Sequence, residues 1–220
     1  MLRERLASGP ALERKLQQAE LAGALPRVVV PVHLAGSSCD MAAIGSLAER
    51  YGFAVLEDAS HAIGGRYRGE PVGNCCYSSI TVFSFHPVKI ITTGEGGLAT
   101  TNDPVLAQRM AELRSHGIVR ERERFERPAA GPWVYEQQQL GFNYRMTDLQ
   151  AALGLSQLER LDDIVFDEFD IRVRKFGGSC IACRNEIVEQ HDPGGFPQDL
   201  GVQGSKDFGK VAAQKSAPAR

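Results

Sequence analysis

The stretch FSFHPVK, residues 83–89, sets Lys89 just beyond an apolar run at residues 80–83 that is typical of a β-strand. A second strand-like run, residues 53–56, leads into Asp58, and His61 follows three residues later. Ligands bind beside the carboxyl ends of the strands in a parallel sheet. A lysine at one such end, with an acid and a histidine at the next, suits chemistry on an aldehyde cofactor.

Strands and helices alternate around this stretch. Residues 28–32 predict a buried strand, and residues 97–100 predict a short one. Between the strands at 28–32 and 53–56, Asp40 can cap a helix that carries Met41 and Ile44 and ends at Gly52. This β-α-β order predicts an α/β fold with a mostly parallel sheet flanked by helices.

The flanking segments extend the same domain. Residues 2–25 are charged and helix-favouring, and Asp103-Pro104 is a helix start. A long surface loop is predicted at 120–139, and a capping box at Thr147 then starts another helix. After residue 163 the periodicity is lost, so we predict a domain at residues 1–163 and a poorly structured tail at residues 164–220.

Charge and hydropathy argue against two classes of partner. The chain has 25 basic and 27 acidic residues and a net charge of −2, which gives no electrostatic reason to expect nucleic acid or an anionic membrane. No apolar run approaches the ~20 residues of a membrane span. The N-terminus lacks the apolar core of a signal peptide, so we predict a cytoplasmic protein.

The five cysteines follow no disulfide-framework spacing. Cys180 and Cys183 form a CxxC pair with only His191 nearby, which leaves a zinc site and reduced thiols as alternatives. Because no second cysteine pair follows, we favour reduced thiols and expect no metal.

Lys89 has both a functional and an ordinary interpretation. A lysine side chain in water is almost entirely protonated at neutral pH and is a poor nucleophile. A Schiff base with an aldehyde cofactor keeps the nitrogen ready for reaction. Alone, Lys89 would be read as a solvated surface lysine, but Ile90, Ile91 and the glycines that follow favour the functional interpretation.

The polar residues around Lys89 suit a pyridoxal cofactor. Asp58 could pair with a protonated pyridine nitrogen, which makes the ring an electron sink. His61 could lie against the ring, and the hydroxyls of Ser84, Thr92 and Thr93 could bind the phosphate. The alternative for Asp58 is a helix cap or a turn aspartate, and the alternative for His61 is a solvated loop histidine.

A further anion site is predicted where the last helix begins. Asn143 and Arg145 precede its N-terminus, and Arg145 could hold a phosphate or a carboxylate. A capping loop with a surface arginine is the alternative.

Together these motifs resemble the DegT/DnrJ/EryC1/StrS-type sugar aminotransferases, a fold-type-I family that uses pyridoxal 5'-phosphate. The resemblance covers residues 12–163 and rests on PVHLAG at 31–36, EDASHAIG at 57–64, FSFHPVK at 83–89, GEGG at 94–97 and NYRM at 143–146. Within the family the chain is most similar to the transaminases of pseudaminic acid biosynthesis. The segments RSHGI at 114–118 and CDM at 39–41 also resemble that subgroup.

The resemblance implies a role for each motif residue. Lys89 would be the Schiff-base lysine and proton shuttle. The cofactor-binding residues would be Asp58, Ala59, His61, Ser84 and Asn143, with Asn143 reaching the cofactor phosphate of the neighbouring subunit in a homodimer. The residues that face the nucleotide sugar would be His86, Tyr144 and Arg145.

The implied reaction moves an amino group from glutamate to the 4-keto carbon of a UDP-4-keto-6-deoxy-N-acetylhexosamine. Lys89 argues against the dehydratase branch of the family, in which this lysine is replaced. One alternative is a catalytically inactive fragment of the family. Another is a nucleotide-binding module of Rossmann type, but a single glycine, Gly36, follows the first strand where that module needs a glycine fingerprint.

The resemblance also implies a partial large domain. The family has a further segment before the equivalent of Leu2, with a phosphate-binding turn, and a smaller C-terminal domain after the equivalent of Asp163. The sequence resembles neither part, so the expected fold is a fold-type-I large domain that is incomplete at its N-terminus.

Overall fold

The computed structural model of the chain describes residues 9–165. The helices are α1 (Gly9–Leu21), α2 (Met41–Tyr51), α3 (Pro104–Leu113) and α4 (Asp148–Leu158). The strands are β1 (Val28–Val29), β2 (Ala54–Asp58), β3 (Arg66–Tyr67), β4 (Glu70–Pro71), β5 (Ile80–Ser84), β6 (Gly97–Thr100), β7 (Ile118–Val119) and β8 (Glu136–Gln137). The predicted tail at 164–220 lies almost entirely outside the described residues.

Four strands form the central sheet, in the order β1-β2-β5-β6. The first three run parallel, with Val28 opposite Ala54 and Asp58 opposite Val82. β6 is antiparallel to β5, because residues 85–96 between them contain no helix that would return the chain to the other end of the sheet. This architecture confirms the predicted α/β fold with a mostly parallel sheet.

The two faces of the sheet differ in how well they are covered. Side chains alternate between the faces along each strand. The buried face carries Val55, Glu57, Thr81 and Phe83. On this face Val55 packs in a cluster with residues of α1 and α2, and Phe83 packs in a second cluster with Ala59. The other face, which we call the open face, is only half-buried and carries Leu56, Asp58, Ile80, Val82 and Ser84.

The first strand differs from its predicted form. Regular pairing with β2 is limited to Val28 and Val29. A single bridge then joins Val32 to Asp58, because Pro31, which precedes Val32, has no N–H to donate. Val28 and Val30 are 51% and 52% exposed. The prediction of a buried strand was wrong because β1 lies at an edge of the described sheet, where a run of valines does not indicate two covered faces.

The predicted helix boundaries are confirmed by their caps. The Asp40 side chain accepts a hydrogen bond from the backbone of α2, and Gly52 ends that helix at a φ of 73°. Asp103 caps α3 in the same way. Thr147 and Gln150 form the predicted capping box of α4, each side chain accepting from the backbone of the other residue.

The remaining predicted segments are partly confirmed. Of the segment predicted to favour a helix at 2–25, Gly9–Leu21 form α1, and residues 22–25 lie beyond its end. The surface loop at 120–139 contains a 3-10 turn at Arg122–Arg124 and the strand β8, which pairs with β7. Within residues 9–165, no helix has the length and apolar character that a membrane crossing requires.

Candidate active site

Asp58 and Ser84 lie on the same face at the same end of the sheet. β2 ends at Asp58 and β5 ends at Ser84, and the two strands are parallel neighbours. Because Asp58 is opposite Val82, both Asp58 and Ser84 carry their side chains on the open face. The structure therefore brings these two predicted cofactor-binding residues together where parallel sheets bind ligands.

The Asp58 carboxylate is held by the residue two positions later. The backbone N–H and the hydroxyl of Ser60 both donate to Asp58 Oδ1, at 3.0 Å and 2.5 Å. The Ser60 hydroxyl lowers the pKa of Asp58 below its ordinary 3.8, against the opposing effect of partial burial. The Ser60 N–H and the charges of His61 and Lys89 lower the pKa of Asp58 further. Asp58 is thus ionised at neutral pH, as a partner for a protonated ring nitrogen must be.

Lys89 lies in a turn that leaves β5. Its backbone N–H donates to the His86 carbonyl at 2.9 Å, and its side chain is half-buried. His86 is exposed, and its Nε2 atom lies 3.9 Å from Glu95 Oε1. Since the charge of Lys89 acts on Asp58, the turn brings the lysine within electrostatic range of the carboxylate.

The loop after Lys89 is fixed by hydrogen bonds at Thr92. Its hydroxyl donates to the Phe85 carbonyl at 2.8 Å and accepts from the Gly94 N–H at 2.9 Å. Its backbone N–H donates to Gln157 Oε1 of α4 at 2.7 Å. The Thr92 hydroxyl is thus engaged within its own loop. The hydroxyl of buried Thr93 donates to the Glu95 carbonyl at 2.8 Å.

Ala59 and His61 follow β2 directly. Ala59 is buried, and its N–H continues the sheet by donating to the Val82 carbonyl at 2.8 Å. His61 Nδ1 accepts from the N–H of Ala35 at 3.4 Å. The PVHLAG segment at 31–36 therefore lies beside His61, through Ala35 in a left-handed conformation with φ 57°.

The second predicted group, Asn143, Tyr144 and Arg145, lies on an exposed loop before α4. A single antiparallel β-bridge pairs the backbone of Asn143 with that of Ser115. The ring of Tyr144 stacks on that of Phe142 with centroids 4.8 Å apart. No hydrogen bond or ion pair within residues 9–165 joins the side chains of this group to Asp58, Ser84 or Lys89. No direct bond therefore links this group to Asp58, Ser84 or Lys89 within the described residues.

Sequence reasoning missed a polar network on the buried face. Glu57 is 5% exposed, and its carboxylate lies 2.7 Å from His33 Nε2 and accepts from Thr81 Oγ1 at 3.0 Å and from Ser78 Oγ. Burial opposes the ionisation of Glu57, but hydrogen bonds from His33 and Ser78 lower its pKa. Alternation along β2 could have indicated this role, since Glu57 must face away from Asp58.

The described residues include three of the five cysteines. Cys39, Cys75 and Cys76 are free thiols. Cys180, Cys183 and His191 lie outside the described residues, so the choice between a zinc site and reduced thiols stays a prediction.

Proteins with known names match the chain in sequence. The GDP-perosamine synthase of Caulobacter vibrioides is 46% identical over 137 residues, which are 62% of this chain and 33% of that protein. The UDP-4-amino-4,6-dideoxy-N-acetyl-beta-L-altrosamine transaminase of Campylobacter jejuni is 42% identical over 131 residues, which are 60% of this chain and 32% of that protein. The chain spans about a third of the length of these curated relatives.

Solved structures match as well. Helicobacter pylori PseC, an aminotransferase involved in the biosynthesis of pseudoaminic acid, is 34% identical with a TM-score of 0.58 over 67% of this chain and 37% of that one. The PMP-form of Spr1654 from Streptococcus pneumoniae is 30% identical with a TM-score of 0.61 over 72% of this chain and 46% of that one. These matches confirm the predicted aminotransferase fold.

The family assignment rests on most of the chain. A family model for the DegT/DnrJ/EryC1/StrS aminotransferases matches residues 11–171, a range that includes the central sheet and every predicted site residue. The chain belongs to the DegT/DnrJ/EryC1/StrS aminotransferase family.

Proposed function

We propose that this chain carries the cofactor site of a pyridoxal phosphate-dependent aminotransferase that acts on a nucleotide-linked keto sugar. One observation carries the proposal. Asp58 and Ser84 share the open face at the carboxyl ends of neighbouring parallel strands, and Lys89 lies close enough for its charge to act on Asp58. Family membership supports the same chemistry, since aminotransferases of this family depend on pyridoxal phosphate.

The residues present fit pyridoxal phosphate by their chemistry. The site offers an amine at Lys89, an ionised carboxylate at Asp58 and a hydroxyl at Ser84. These groups match the aldehyde, the pyridine nitrogen and the phosphate of the cofactor. When bound, pyridoxal phosphate supplies an electron sink that stabilises negative charge on the carbon next to the transferred nitrogen.

Each residue has a distinct task in this proposal. Lys89 Nζ would hold the cofactor at its aldehyde and would carry the proton during amino transfer. Asp58 keeps the ring nitrogen protonated, because an ionised carboxylate favours the charged form of a cation beside it. Ser84 would bind the phosphate, and Ala59 and His61 would contact the ring.

For the substrates we propose glutamate as amino donor and the 4-keto carbon of a UDP-4-keto-6-deoxy-N-acetylhexosamine as acceptor. His86, Tyr144 and Arg145 would face the nucleotide sugar, and all three are exposed. The Campylobacter jejuni relative and PseC support this sugar. The Caulobacter vibrioides relative is named for a GDP sugar, so a GDP-linked 4-keto sugar is the substrate to compare.

We also propose that the active form is a cytoplasmic homodimer in which Asn143 reaches the cofactor phosphate of the neighbouring subunit. Asn143 lies on an exposed loop beside the exposed rings of Phe142 and Tyr144. Adjacent exposed apolar side chains are typical of an interaction surface.

A turnover assay tests the proposed function. The full chain would be incubated with pyridoxal phosphate, glutamate and either the UDP-linked or the GDP-linked 4-keto sugar, and the products would be analysed by mass spectrometry. We expect 2-oxoglutarate and the 4-amino UDP sugar. A chain that binds the cofactor but forms neither product would be a catalytically inactive fragment of the family, which is the alternative function.

A further inference from the structure

Ser60 stands where β2 turns away from the sheet, and it makes two bonds to one atom. Its N–H and its hydroxyl both donate to Asp58 Oδ1, at 3.0 Å and 2.5 Å. Within residues 9–165, no hydrogen bond to Asp58 Oδ2 is found. One oxygen of the carboxylate is therefore saturated, and the other is left for a further donor.

Two donors on one oxygen restrict the carboxylate. A hydrogen bond to an ionised acceptor is roughly twice as strong as one between neutral groups. The pair of bonds also fixes the side-chain torsions of Asp58, which would otherwise rotate at the end of the strand. As a result, the direction of Oδ2 is set before any ligand binds.

We propose that Ser60 is a positioning residue for amino transfer: its hydroxyl clamps Oδ1 of Asp58 and so presents Oδ2 to the pyridine nitrogen of the cofactor. This inference rests on the proposed function, since it assigns the free oxygen to the same cofactor. Ser60 itself does not contact the cofactor in this arrangement.

The clamp also bears on the charge of Asp58. The hydrogen bond from the Ser60 hydroxyl is the largest influence that lowers the pKa of this carboxyl. Without the hydroxyl, the pKa of Asp58 rises toward its ordinary value and the carboxylate gains rotational freedom. Both changes weaken its hold on a protonated ring nitrogen.

Three variants isolate the hydroxyl. Ser60→Ala removes it and keeps the backbone N–H bond, while Ser60→Thr restores it. Ser46→Ala is the matched control, because it removes an exposed hydroxyl on α2 that donates to the Ala42 carbonyl. Melting temperatures of all variants would show whether each one folds.

Two measurements on the full chain decide the inference. The first is the titration of the Asp58 carboxyl carbon by NMR without cofactor, where we expect an upward-shifted midpoint in Ser60→Ala alone. The second is the binding of pyridoxal phosphate by absorbance, where we expect about tenfold weaker binding in Ser60→Ala and wild-type binding in Ser60→Thr and Ser46→Ala.

Failure of the inference and failure of the proposed function give different results. If the wild type binds the cofactor and Ser60→Ala binds it equally well, Ser60 has no positioning role. If the wild type binds no cofactor, the proposed function fails, and the titration decides the clamp by itself. In that case an unchanged midpoint in Ser60→Ala overturns the clamp as well.

Discussion

Neighbouring acidic residues in β2 have opposite tasks because a strand alternates its faces. Glu57 lies on the buried face, where His33, Ser78 and Thr81 surround its carboxylate. Asp58 lies on the open face, where Ser60 holds one oxygen. The first acid stabilises the sheet, and the second remains available to a ligand.

Replacing Glu57 with alanine should destabilise the chain, because buried His33 and Thr81 and partly buried Ser78 would lose their acceptor. We expect a loss of about 3 kcal/mol in the free energy of unfolding, measured by urea denaturation. Glu49→Ala, which removes an exposed carboxylate on α2, is the control. Equal stability of the two variants would contradict a structural role for Glu57.

Asp58 should give stability a dependence on pH. Its pKa in the folded chain lies below the ordinary 3.8, so the ionised form is favoured by folding. The contribution of Asp58 to stability is complete above the ordinary pKa and is lost as the pH falls through the folded value.

Unfolding free energies of wild type and Asp58→Asn, measured from neutral to acid pH, should differ by a constant amount until the pH nears that range. Below it, the wild type should lose stability relative to the variant. A difference independent of pH would refute the assignment.

At the scale of elements, features set by neighbouring residues were predictable and features set by distant ones were not. The caps at Asp40, Asp103 and Thr147 depend on side chains within a few residues. The exposure of β1 depends on what packs beside that strand, and β8 forms by pairing with β7, which lies across the predicted surface loop. The carboxyl-end placement of Asp58 and Ser84 followed from strand order alone, whereas the place of Asn143 depends on how the loop before α4 folds.

Helix α4 should fix the loop that follows Lys89. Gln157 accepts the N–H of Thr92 at 2.7 Å, so Gln157→Ala leaves a partly buried donor unpaired. We expect the free energy of unfolding to fall by about 1–2 kcal/mol. Ser156→Ala, an exposed change on the same helix, is the control. If urea denaturation gives the same midpoint for both variants, α4 does not hold this loop.

At the scale of the whole molecule, the chain spans about a third of the length of its curated relatives, and the family match at residues 11–171 includes Asp58, Ser84 and Lys89. Asp58 and Ser84 lie at one end of the sheet and Lys89 lies in the turn that follows, whereas Asn143, Tyr144 and Arg145 lie on an exposed loop. An assembly of two chains would give that loop a partner.

The proposed homodimer can be tested at this loop. Phe142 and Tyr144 are 59% and 73% exposed, and replacing both with serine should turn a dimer into a monomer in sedimentation experiments. Val105→Ser, an equally exposed apolar residue on α3, should leave the dimer intact. A wild type that is monomeric at every concentration would contradict the homodimer.

An absorbance titration tests whether Lys89 binds pyridoxal phosphate through its amine. The wild type, Lys89→Ala and Lys15→Ala would each be titrated with pyridoxal phosphate, with Lys15 serving as an exposed lysine of α1. We expect the absorbance band of lysine-bound cofactor in the wild type and Lys15→Ala, and its loss in Lys89→Ala. Identical spectra for all three proteins would contradict it.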